Sequence, residues 1–116
     1  MFEKRNANYR RTVKEGISND NWAGCKELIN KKEKVNCLGF IQGTNRYGAF
    51  TALVCDDGTN YYIPKWMNDS FRAENFTDEE LEYLMSGKPV EVTKREYGDE
   101  KSKQFTYDIK IGEYKM

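Results

Sequence analysis

The sequence predicts a small, mainly β domain in which five strands close into a barrel, with one short α-helix between the third strand and the fourth. Three observations predict it. Apolar and aromatic residues recur in strand-like runs from Val35 to Ile111, bounded by glycine, proline and Asx turn signals. Asp57-Gly58 divides two of these runs as a hairpin turn does, because such turns need positive φ and glycine supplies it. Thr77-Asp78-Glu79-Glu80 is a helix start signal that places the helix after the third run.

Residues 1–21 are polar, basic and rich in Asn, and Gly16 and Ser18-Asn19-Asp20-Asn21 break any periodicity, so they read as a basic N-terminal arm or irregular lead-in to a barrel domain at 22–116. Trp22, Cys25, Leu28 and Ile29 have the spacing of one face of a short helix capped by Asp20 or Asn21. Alternatively, Trp22 plugs an open barrel end and the rest is loop. Val35 to Thr44 reads as a strand buried on much of both faces, in which Gly39 marks a bulge or sharp bend. Gly43 to Gly48 encloses a polar loop containing Arg46 and Tyr47.

Ala49 to Asp56 and Thr59 to Met67 form a hairpin. With a two-residue turn, Val54 faces Tyr61 and Leu53 faces Tyr62, so Phe50, Ala52, Val54, Tyr61 and Ile63 line one face with the composition of a core. Thr51, Leu53 and Tyr62 line the other. Pro64 cannot donate to a ladder, so the third strand runs out there and leaves Lys65 and Trp66 near its end. In the helix, Thr77 caps, Glu80 completes a capping box and Phe76 staples against Leu81, while Gly87 and Pro89 stop it. Pro89 to Tyr97 and Lys103 to Ile111 are the last two strands, the second with Phe105, Tyr107, Ile109 and Ile111 alternating with polar residues. This order is the plan of a single OB-like five-stranded barrel.

Nineteen basic and nineteen acidic side chains cancel, so any polyanion site must come from local charge. Lys4, Arg5, Arg10, Arg11 and Lys14 make the N-terminus basic, whereas Glu74, Asp78, Glu79, Glu80 and Glu82 form an acidic segment that serves the helix dipole before any other purpose. The chain has no histidine, which removes Ser-His-Asp triads, Cys-His dyads and His-based metal sites. Cys25, Cys37 and Cys55 lack C-x-x-C spacing and read as free, buried thiols, so neither cofactor nor metal is expected, and nothing points to an enzyme. No stretch approaches the ~20 apolar residues of a membrane span. The N-terminal residues lack a signal peptide's apolar run, so a cytoplasmic setting is expected.

Single-stranded nucleic acid is bound by aromatic platforms for bases and cations for phosphates in one groove. The barrel plan gathers such residues at Arg46, Tyr47, Tyr62, Lys65, Trp66, Arg95, Tyr97 and Lys103. The run Tyr61-Tyr62-Ile63-Pro64-Lys65-Trp66-Met67, followed by Phe76-Thr77-Asp78-Glu79-Glu80-Leu81 and Ser86-Gly87, resembles small phage- or virus-type single-stranded DNA-binding proteins of OB architecture. The resemblance implies Lys65 and the third-strand aromatics near nucleic acid and a role in replication or recombination. It covers residues 49–97, and the chain ends Glu113-Tyr114-Lys115-Met116 without the long acidic tail of many such proteins. The competing expectation is a protein-interaction module, such as a mobile-element-encoded inhibitor whose acidic helix at Asp78 to Glu82 imitates phosphates. A homo-oligomer is compatible with either, and no membrane partner is expected.

Overall fold

The computed structural model describes residues 9–31 and 33–115, with side chains from Arg11 onward. It is mainly β. The strands are β1 (Tyr9–Val13), β2 (Asn21–Gly24), β3 (Asn36–Asn45), β4 (Gly48–Cys55), β5 (Thr59–Tyr62), β6 (Lys88–Tyr97), β7 (Gln104–Ile111) and β8 (Tyr114–Lys115). The one α-helix among the described residues, α1 (Asp78–Leu84), lies between β5 and β6, as expected. 3-10 segments cover Cys25–Asn30, Lys65–Phe71 and Ala73–Asn75.

The sheet runs β2-β5-β4-β3-β6-β7-β8, with β1 paired to β3 off that path. Its ends do not meet among the described residues, so the expected closed five-stranded barrel is corrected to an open sheet. The reason is local. Pro64 comes two residues after the end of β5 and starts the 3-10 segment Lys65–Phe71, while the other side of β5 is taken by β2 in parallel. Where a closing ladder would run, a side chain crosses: the Trp66 indole N–H donates to Thr106 Oγ1 of β7 at 2.7 Å.

β3 serves two neighbours on one edge, pairing β6 at Asn36 and Cys37 and β1 from Gly39 to Gly43. The register shifts between Cys37 and Gly39, which is the bulge expected there. Gly39 has φ +140, and a Cβ on it would come 2.0 Å from the Thr12 carbonyl oxygen, so β1 can lie against β3 only because this residue is glycine. Residues 9–13, expected to be irregular, are thus a sheet strand; Lys4 and Arg5 lie outside the described residues.

The β4–β5 hairpin corrects the expected register. Leu53 faces Tyr61 and Ala52 faces Tyr62, one residue away from the two-residue-turn pairing. The loop has three residues, Asp56 to Gly58, with Gly58 N–H bonded to the Cys55 carbonyl and only Gly58 at positive φ, the type I turn with a following bulge. A one-residue slip moves every side chain to the other face. Tyr61 and Ile63 keep the expected core side, and it is the β4 residues that change: Leu53 and Cys55 join the core with Cys37, Phe40, Met67, Phe71, Leu84, Ile109 and Ile111, whereas Phe50, Ala52 and Tyr62 share the opposite face.

Residues 21–34 also differ from the expected helix face. Residues 21–24 are extended against β5, and only Cys25–Asn30 coils, as a 3-10 segment. In that geometry i and i+3 eclipse, so Cys25 is buried and Leu28 packs on the core while Ile29 and Trp22 stay over 40% exposed. Lys31 then clips this segment to the hairpin turn: its ammonium donates to Asp57 Oδ2 at 2.6 Å, and the same carboxylate accepts from the buried Tyr61 hydroxyl. Burial alone would push the Asp57 pKa up, but bonds from Lys31, Tyr61 and the Thr59 N–H outweigh it and hold the carboxyl below its ordinary range.

α1 forms as its signals dictate. Thr77 Oγ1 accepts from Glu80 N–H at 3.2 Å and Glu80 Oε1 accepts from Thr77 N–H at 2.9 Å, a complete capping box, while Phe76 and Leu81 both pack on the core. Among the described residues no helix is long and apolar enough to cross a membrane.

Candidate functional site

Six of the eight expected binding residues form one row along a rim of the sheet. Arg46 and Tyr47 are the two-residue tip of the β3–β4 hairpin, tighter than the expected loop, because Asn45 and Gly48 already pair. The Asn45 side chain holds the tip by accepting the Tyr47 N–H at 2.8 Å, and the Arg46 guanidinium lies 4.9 Å from the Tyr47 ring. Pro64 starts the 3-10 segment beside this tip, so Lys65 reaches back and donates to the Tyr47 carbonyl at 2.9 Å. Trp66, one residue on, is carried across the gap to β7.

The anchorage of that 3-10 segment explains why Trp66 faces outward. Met67 and Phe71 are fully buried, Asn68 donates to the Ala49 carbonyl at 3.0 Å, and Gln42 donates to the Asn68 carbonyl at 3.1 Å. With those residues committed inward, the Trp66 ring remains 53% exposed.

The ribbon of β6 and β7 supplies the other side of the row. Its register pairs Arg95 with Thr106 and Tyr97 with Gln104, placing all four on one face, opposite Val92 and Ile109. The Arg95 guanidinium lies 6.0 Å from the Trp66 ring, and its Nε donates to Asp108 Oδ1 at 3.2 Å and forms an ion pair with Oδ2 at 2.9 Å. The Tyr97 hydroxyl donates to Gln104 Oε1 at 2.7 Å, which leaves the ring itself half exposed. Trp66, Arg95, Tyr97 and Thr106 enclose a shallow hollow of about 370 Å³. An exposed ring beside a guanidinium, over a depression open to solvent, can take a flat aromatic group on its face and an anion beside it.

The remaining two expected residues lie elsewhere. Tyr62 is on the far face of β5, its ring 5.2 Å from Trp22 and 5.5 Å from Phe50, in an aromatic cluster of its own. Lys103 is exposed in the turn before β7. Phe105, expected to be half-buried in an alternating strand, is instead 48% exposed with the Lys94 ammonium 3.8 Å from its ring, on the opposite face of the ribbon from Tyr97. Thr106 and Asp108, which hold Trp66 and Arg95, escaped the sequence reading. Their alternation with apolar residues marked them as solvent-facing, but the β6–β7 register that brings them to Arg95 and Trp66 depends on a turn length the sequence does not display.

The acidic helix has structural partners. Glu80 closes the capping box, and Glu82 Oε1 is 3.3 Å from the Lys14 ammonium. The thiols are poor nucleophiles: burial raises Cys25 to about 11 and Cys37 to about 12, and raises Cys55 further still. Among the described residues, no cluster of three or more His, Cys, Asp or Glu side chains could hold a metal ion.

The chain matches no protein-family model, no curated protein and no solved structure. The functional reading therefore rests on the geometry alone.

Proposed function

We propose that the protein binds single-stranded nucleic acid, DNA before RNA, without catalysis, by stacking bases on Trp66 and Tyr97 and neutralising phosphates with Lys65 and Arg95. The observation that carries this reading is the half-exposed Trp66 ring with the Arg95 guanidinium 6.0 Å from it over an open hollow. Tyr47, 67% exposed and backed by Arg46, extends the row at the other end. Stacking tolerates any base because every base has a π-face, and Arg adds attraction for both ring and phosphate.

The strand order supports an OB-like ancestry for this surface. The five strands from Asn36 to Ile111 lie β5-β4-β3-β6-β7, with the first of them central and its two hairpins swinging outward, as in a partly open Greek-key barrel. In that plan the row occupies the rim between the first hairpin tip and the last hairpin, where single strands are bound.

The test is a titration with a labelled single-stranded oligonucleotide of mixed sequence, at low and at physiological salt, with duplex as control. The expected result is salt-sensitive binding that prefers the single strand, weakened about 5- to 150-fold in Trp66→Ala, the equivalent of ~1 to 3 kcal/mol. No binding of either strand even at low salt would leave a protein-interaction module as the working answer.

A further inference from the structure

The face that carries Arg95 continues beyond the aromatic hollow. On its far side lies a second depression, of about 520 Å³, to which Glu91, Thr93, Arg95, Asp108, Lys110 and Lys115 contribute. Arg95 lines both hollows, so they form one track along the solvent face of β6 and β7.

Two features of this second hollow need an explanation that folding does not supply. The β7–β8 register places Lys115 directly opposite Lys110, and like charges facing each other across a ladder are destabilising. Moreover, neither lysine has an ion-pair partner among the described residues, although Glu91 is opposite Lys110 on its other side. The one other carboxylate, Asp108, is engaged by Arg95 through Nε. That contact leaves both Nη atoms of Arg95 without a hydrogen bond among the described residues, and these form the fork that grips phosphate oxygens.

We propose that this second hollow is a phosphate site, in which Lys110 and Lys115, with the Arg95 fork at its edge, hold the backbone of the strand whose base stacks on Trp66. The inference rests on the binding reading above and extends it from a stacking platform to a track. Lys110 is four residues along β7 from Thr106, about 13 Å at ~3.3 Å per residue. That distance is about four stacked nucleotide steps of ~3.4 Å, and fewer for an extended strand. Glu91, a carboxylate of the hollow with no ion-pair partner among the described residues, opposes the anion and tunes the site downward.

The experiment compares wild-type protein, the double variant Lys110→Gln/Lys115→Gln and Glu91→Gln on oligothymidylates of about three and about twelve nucleotides, over a range of salt. Circular dichroism and thermal melting check that each variant is folded. Two phosphate contacts contribute about 1.4 to the slope of log K against log salt for a single strand. The double variant is expected to lose that much slope on the long strand and keep wild-type affinity for the short one, while Glu91→Gln binds the long strand more tightly. An unchanged slope in the folded double variant, with wild-type protein binding normally, overturns the phosphate site and leaves the stacking reading standing. If wild-type protein binds neither oligonucleotide, the stacking reading fails, and a titration with tripolyphosphate followed by NMR decides the rest: shifts at Lys110 and Lys115 uphold an anion site, and their absence overturns it.

Discussion

Residues Thr51 to Cys55 of β4 and Thr93 to Tyr97 of β6 are both five-residue stretches of paired antiparallel strand, yet the first is buried on both faces and the second exposed on both. In β4 the two faces are sealed, one by the core around Phe40 and Tyr61, the other bearing Ala52 and Val54, which are as fully buried. Beyond Val92 and Ile109 only Tyr107 of the β6–β7 ribbon still packs on the core, and a two-stranded ribbon alone is marginal in water. Side-chain contacts hold it instead: Arg95 to Asp108, Tyr97 to Gln104, Lys94 over Phe105 and Trp66 to Thr106. The difference teaches where to look for function. Aromatic residues in β4 and β5 are accounted for by packing, whereas Trp66 and Tyr97 each tie down the ribbon through one polar atom and leave about half their surface to water.

The contrast breaks if substitutions in the two regions have similar consequences. The largest expected effect is in the sealed region: Leu53→Ala removes a fully buried side chain and should cost about 2–5 kcal/mol of unfolding free energy in urea denaturation, with nucleic-acid affinity unchanged at temperatures where the variant is folded. Next comes the exposed region, where Tyr97→Ala should weaken single-strand binding by ~1 to 3 kcal/mol and shift stability by no more than about 1 kcal/mol. A Tyr97 variant that lost stability instead of affinity would return that ring to the fold.

A third effect concerns the clip that joins residue 31 to the β4–β5 turn. Tyr61→Phe removes one donor from Asp57 and should cost about 1 kcal/mol near neutral pH. Because the Asp57 pKa is lower folded than unfolded, its contribution is present above about pH 4 and lost as pH falls through the folded value. The phenylalanine variant brings the two values closer, so its stability should fall less steeply with acid than that of the wild type. Denaturation midpoints between neutral pH and about pH 3 check this sign.

The smallest effect sharpens the comparison most within the ribbon. Phe105 and Tyr97 are almost equally exposed but face opposite ways. Phe105→Ala should leave both stability and single-strand affinity within about 0.5 kcal/mol of wild type. Equal losses of affinity from Phe105→Ala and Tyr97→Ala would mean that the ribbon binds by wrapping, and not on one face.

Much of this was legible in the sequence. The capping box at Thr77, the bulge at Gly39 and the strand end at Pro64 each follow from residue chemistry acting over a few positions, and each stands where expected. What failed was arithmetic over longer paths. Asp57-Gly58 marked the hairpin, but only Gly58 takes positive φ, so the loop gained a residue and Tyr61 and Leu53 face each other instead of Val54 and Tyr62. Barrel closure failed for a related reason: β2, hidden in a polar stretch with no strand pattern, occupies the free edge of β5. Of the site, the residue types were visible but their grouping was not, since Trp66 meets Arg95 and Thr106 only through the path of a 3-10 segment anchored by Met67 and Phe71, far from both partners in sequence.

The account's central claim is that Trp66 is a base-stacking platform, and its own fluorescence tests this most directly. The chain has two tryptophans, so Trp22→Phe leaves Trp66 as sole emitter and Trp66→Phe provides the converse control. Titration of the Trp22→Phe protein with single-stranded oligonucleotide should quench its emission saturably, duplex should not, and the Trp66→Phe protein should show no such quenching. Binding of the strand with Trp66 emission unchanged would contradict the claim.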